Sequence, residues 1–146
     1  MKSATLTRTL KRAAAVTAAF TVFAMSSTFA QATQPQTKFN EKEIANLKIG
    51  IQSENEGLKR SAIYLAGKYA LNDLVDVLVE QLKNENKAAT RHLIALSLYK
   101  IGNAYGMEAV KETAMTDKDA RIKRLAAAIY DEYVFENEHK YYSLNE

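Results

Sequence analysis

From Asn40 to Asn137 apolar residues recur three and four positions apart, in six stretches separated by short polar breaks. That spacing marks the buried stripe of an amphipathic helix, not the period-two alternation of a strand. Three breaks look alike: Ser53-Glu54-Asn55, Asn84-Glu85-Asn86 and Asp117-Lys118-Asp119. Each carries side-chain oxygens able to cap the following helix by accepting from its unpaired backbone N–H groups. Aligned on the breaks, the chain repeats with offsets of 31 and then 33 residues, through LKRSAIYL from Leu58, ATRHLIAL from Ala89 and IKRLAAAI from Ile122. Arg60, Arg91 and Arg124 superimpose, as do Ala62, Leu93 and Ala126, and Leu65, Leu96 and Ile129. Ahead of the breaks, Ile51, Leu82 and Met115 share one position. The pattern predicts an all-α domain over residues 40–137, built as three antiparallel helix pairs. A unit of two short helices cannot bury its apolar face alone, and stacking three units buries a continuous core.

A polar break, a short basic pair and an alanine-rich second helix, repeated in this way, resemble the HEAT repeat family over about two-thirds of the chain. The resemblance implies a short α-solenoid whose second helices line a concave face used mainly to hold other proteins. It also implies an inter-repeat ladder, from an acid in the turn and a basic residue six positions later. Glu54 with Arg60 and Glu85 with Arg91 match that spacing; in the third unit Lys118 stands where the acid belongs before Arg124, leaving Asp117 or Asp119 to substitute. The competing reading leaves these charges solvated on helix faces, where each contributes well under ~1 kcal/mol.

The segment ahead of the repeats reads as an address. Lys2, Arg8, Lys11 and Arg12 precede an apolar run from Ala13 to Met25, followed by the small residues SSTFAQA. This is the layout of a secretory signal peptide over residues 1–30, cleaved after Ala30 or Ala32. The run is shorter and more diluted by Thr and Ser than the ~20 apolar residues of a spanning helix, so no membrane insertion of the mature chain is expected. Residues 31–39 read as a flexible leader and 138–146 as a tail without helical pattern. Four of the 20 basic residues and none of the 17 acidic ones lie before Ala30, so the mature chain carries 16 against 17, a net charge of −1. The overall charge of +3 therefore belongs to the address and does not point to nucleic acid. No Asn-x-Ser/Thr acceptor occurs, which agrees with an exported bacterial protein, periplasmic or secreted. With no cysteine there are no disulfides, thiolate metal sites or cysteine nucleophile.

Catalytic chemistry is hard to assemble from what remains. His92 has no carboxylate three or four positions away, and His139 sits near Glu136 and Glu138 in the tail, where a solvated role outweighs a metal. The glycines are scattered, and Gly102-Asn103-Ala104-Tyr105-Gly106 reads as an inter-helix turn, not a phosphate loop. We expect no enzyme, cofactor or metal. Eight tyrosines are many for this length. Tyr64, His92, Tyr99 and Leu125 form a candidate contact row on the second helices, tyrosine being large, stiff and amphipathic; the alternative packs the tyrosines between helices. The expected function is an exported protein–protein interaction module, with a bilin-lyase-like helper for a small molecule or chromophore as the rival that the HEAT resemblance suggests. N-terminal sequencing of the exported protein should give Gln31 or Thr33; an intact Met1 in a membrane fraction would make the apolar run an anchor.

Overall fold

The computed structural model describes residues 39–143. The signal-peptide assignment, nearly all of the leader and residues 144–146 lie outside the described residues. Within them the chain is all-α, with no strand: α1 Glu41–Ile51, α2 Glu56–Lys68, α3 Val75–Asn84, α4 Ala88–Ile101, α5 Ala104–Thr116 and α6 Ala120–Ser143, a single 3-10 turn at Asn72–Leu74 leading into α3.

Local chemistry sets most helix ends. Asn40 and Glu43 form a reciprocal capping box at α1, with Glu43 N–H donating to Asn40 Oδ1 at 3.0 Å and Asn40 N–H to Glu43 Oε2 at 2.7 Å. Asn55 caps α2 by accepting from the N–H of Leu58. The turn expected over Gly102–Gly106 is tighter than that. Gly102 ends α4 in the left-handed region at φ +71°, and Asn103 caps α5 at once by accepting from the N–H groups of Tyr105 and Gly106. The expected cap at the middle break is absent: α4 begins after Lys87 with no side-chain cap, and Asn86 does not serve as one.

Sequential helices pack as neighbours, α1 on α2, α3 on α4 and α5 on α6. Across these pairs α2 lies against α4 and α4 against α6, while α3 touches both α1 and α5. Ile63, Leu78, Ile94, Leu98, Met107 and Val110 are fully buried between them and belong to one continuous core.

The helix starts at Glu56, Ala88 and Ala120 correct the register read from the breaks: each follows the last by 32 residues. Asn55 and Asp119 stand directly before their helices, whereas Asn86 stands one residue earlier, ahead of Lys87, so alignment on the breaks slips α4 by one position. On helix starts, Ala62, Ile94 and Ala126 coincide, and all three are buried. Met115, expected to match buried Ile51 and Leu82, is 60% exposed on α5, the last first-helix of the array. The tail is likewise corrected, since α6 continues past Asn137 to Ser143. Residues 135–140 are exposed, but the run lacks Gly and Pro, and Phe135 meets His139 edge-on with ring centroids 4.2 Å apart.

At the α2–α4 contact the two backbones approach closely. A Cβ added at Gly67 would lie 2.7 Å from Ser97 Cα, and Ser97 Oγ donates across the same contact to the carbonyl of Ile63 at 2.9 Å. Just beyond, α2 ends on Ala70 in the left-handed region at φ 49°, its neighbour Leu71 N–H reaching back to the carbonyl of Ala66. Two substitutions should therefore move stability in opposite directions to helix propensity. Gly67→Ala should cost ~1–3 kcal/mol by forcing α2 and α4 apart, and Ala70→Gly should gain ~0.5–1 kcal/mol by relieving the left-handed alanine. Urea unfolding of both variants measures this.

Candidate functional site

Two of the three second helices, α2 and α4, carry a basic side chain in the fourth position that reaches the break of the next period. Lys59, fourth in α2, donates from Nζ to Glu85 Oε2 at 3.1 Å. Arg91, fourth in α4, donates from Nε to Asp117 Oδ2 at 2.6 Å and from a terminal nitrogen to Oδ1 at 2.8 Å, a two-pronged pair. Both contacts span 26 residues. Arg91 also donates to the carbonyls of Glu85 and Asn86, so its guanidinium closes its own break as well as the next. The side chains of Arg91 and Asp117 are only 6% and 4% exposed. Further contacts link neighbouring periods: Glu56 accepts from Thr90 Oγ1 at 2.7 Å and Lys87 Nζ at 2.9 Å, Lys118 donates to Asn86 Oδ1, and Asn103 to Asn72 Oδ1.

Charge follows this geometry. Burial raises the Asp117 carboxyl, but the Arg91 hydrogen bonds, the N–H of Asp119 and the Arg91 and Lys118 charges outweigh it and hold Asp117 below its ordinary value. Glu85 behaves alike: burial raises it, while the Lys87 N–H, Lys59 and Gln81 bring it below the usual range. Glu56 is lowered, chiefly by Lys87 and Thr90.

The ladder expected from the spacing of acids and arginines is thus rearranged. Glu85 faces Lys59, while Arg91 touches only the Glu85 carbonyl and turns its charge to Asp117. Glu54, Arg60 and Arg124 are exposed and form no ion pair among the described residues. Lys59, Glu56 and Thr90 do not stand out in the sequence. The signal for Lys59 is present but displaced: it is the basic residue before Arg60, and only helix starts, not breaks, align it with Arg91.

On the other side of the second helices the same counting aligns Arg60 with His92 and Arg124, and Tyr64 with Leu96 and Ala128. A groove of about 450 Å³ opens there, floored by Ala88, Ala89, Leu93, Leu96, Ile122 and Leu125 and rimmed by Arg60, His92, Arg121 and Asp119. Of the expected contact row, His92 and Leu125 share this groove, whereas Tyr64 and Tyr99 do not line it. Tyr64 is 53% exposed on α2. Tyr99 is half-buried and packs against the core, with the Glu136 carboxylate by its hydroxyl, and then burial, pushing the phenol above its ordinary value. A second, polar cleft of about 300 Å³ lies over Glu85, Arg91 and Asp117, with Glu112 and Lys118 at its edge.

Among the described residues no His, Asp and Glu side chains cluster so as to hold a metal ion, and no helix is long and apolar enough to cross a membrane. No protein-family model, curated protein or solved structure matches the chain.

Removing Asp117 strands a buried guanidinium, so Asp117→Ala should cost ~3–5 kcal/mol, against less than ~0.5 kcal/mol for Glu54→Ala. A double-mutant cycle on Lys59 and Glu85 should give a coupling of ~0.5 kcal/mol or more, and one on Glu54 and Arg60 none. Asp117 and Glu85 ionise more readily folded than unfolded, so their contribution is full above about pH 5 and disappears as pH falls through the ordinary carboxylate range and below. Asp117→Asn should flatten that acid limb, as read from urea midpoints between pH 3 and 7 (an interval of roughly that width covers both states).

Proposed function

We propose that this chain is an exported, non-enzymatic α-solenoid of HEAT-like type, whose three helix pairs present the second-helix face to another protein. One observation carries the reading: helix starts recur every 32 residues, and polar contacts between neighbouring periods recur with them, Lys59 to Glu85 and Arg91 to Asp117. A chain whose periods are tied to one another by side chains gains its stability locally and leaves one face of each unit for recognition. The unpaired charges and half-buried apolar residues of α2, α4 and α6 lie on such a face, away from the ladder.

The rival, a helper for a small molecule or chromophore, asks for an acid and a base free to act in a deep pocket. In the polar cleft, Arg91 directs its hydrogen bonds to Asp117 and to backbone carbonyls, and Asp117 accepts from Arg91 and the N–H of Asp119. The export reading rests on the basic end, apolar run and small residues of the first 30 positions.

The purified protein, used as bait in a periplasmic extract, should retain a protein partner. Tyr64→Ala should weaken that capture with the melting temperature unchanged, whereas Tyr99→Ala should lower melting by itself, because Tyr99 packs on the core. Recovery of no protein, together with turnover of a small molecule, would overturn the reading.

A further inference from the structure

The groove between α2, α4 and α6 combines two features that select a partner. Its floor is apolar, from Leu93, Leu96 and Leu125, and its rim is basic, from Arg60 and Arg121. Neither arginine side chain has a hydrogen-bond or ion-pair partner among the described residues, in contrast to Arg91, whose donors go to Asp117 and two carbonyls. The one acid at the rim, Asp119, accepts from the N–H of Arg121 at the start of its own helix. Exposed Arg124 adds a further positive charge one turn beyond Arg121. An apolar centre inside a charged rim is the anatomy of a protein interface, not of a small-molecule pocket, which needs polar groups converging within it.

We propose that this groove takes an extended acidic segment of a partner protein, with two carboxylates on Arg60 and Arg121 and an apolar side chain between them on Leu93, Leu96 and Leu125. The inference rests on the interaction-module reading above and specifies the partner's chemistry. The spacing follows from the helices. Neighbouring helix axes lie about 8–10 Å apart, so α2 and α6 flank α4 with about 16–20 Å between their rims. An extended chain advances about 3.3 Å per residue, which separates the two carboxylates by about five or six residues. His92 lies midway, half-buried at the rim.

The test is a titration of the isotope-labelled purified protein, followed by amide NMR. The probe is a capped eight-residue peptide with paired Glu at each end and Leu-Phe at its centre; its control carries Lys for every Glu. Shifts should concentrate at Ala89, His92, Leu96 and Leu125, and the control peptide should bind at least tenfold more weakly. Arg60→Glu with Arg121→Glu should lower affinity for the acidic peptide at least tenfold with melting unchanged, and the paired Lys substitutions should retain most of it. No shift at millimolar peptide, equal binding of the Lys control, or unchanged binding by the double Glu variant would each overturn the proposal. The bait experiment separates the two readings. A partner retained equally by the wild type and the double Glu variant sinks the acidic-segment groove and leaves the interaction module standing. Failure of the wild type to retain any protein sinks the module itself.

Discussion

A guanidinium held out of water is the constraint on which the polar side of this molecule depends. Arg91 must place its donors on acceptors or lose far more solvation than it recovers, and it does so on Asp117 and on the carbonyls of Glu85 and Asn86. Those acceptors come from two different breaks, so one side chain sets the rotation of α4 against both its own preceding helix and the next pair. Lys59 performs the same task one period earlier, with a point charge on Glu85 in place of a fork, and Gln81 and the N–H of Lys87 complete the carboxylate's shell. α4 can dispense with a side-chain cap because its first turn is held instead by Glu85, through Lys87, and by Glu56, through Thr90.

Fixing the fourth residue of α2 and of α4 also determines what the fifth can do. Successive helical residues point about 100° apart. When Lys59 and Arg91 turn toward the next break, Arg60 and His92 turn away from it, onto the rim of the groove. The same helix thus carries one basic residue bound inside the fold and one left to solvent or a partner. Structural and recognition charges are adjacent in sequence and separated only by the helical phase.

Backbone proximity supports this arrangement from the apolar side. Gly67 lets α2 approach Ser97 without a side chain between, and the Ser97 hydroxyl uses that proximity to satisfy itself on the Ile63 carbonyl. No buried side-chain nitrogen or oxygen among the described residues lacks a partner. Close packing and polar satisfaction therefore reinforce each other at one contact, the consistency expected of a chain that adopts a single structure.

Periodicity in the chain determined that residues 40–137 are helical and where the six helices fall, because a three-and-four apolar stripe is a local property that each segment carries alone. It also located the breaks, since Asn55, Asn103 and Asp117 act on backbone groups within a few residues of themselves. The helix beyond Asn137 escaped that reading, for residues 138–140 are exposed and add no apolar position to the stripe. The register did too: that Lys87 separates Asn86 from α4 was invisible until helix starts were known, and counting from those starts puts Lys59, not Arg60, in line with Arg91. Only tertiary structure decided which charges meet, which tyrosine faces water and which packs on the core. Those outcomes depend on the rotation of one helix against another, and a rotation of about 100° is a single residue in the sequence.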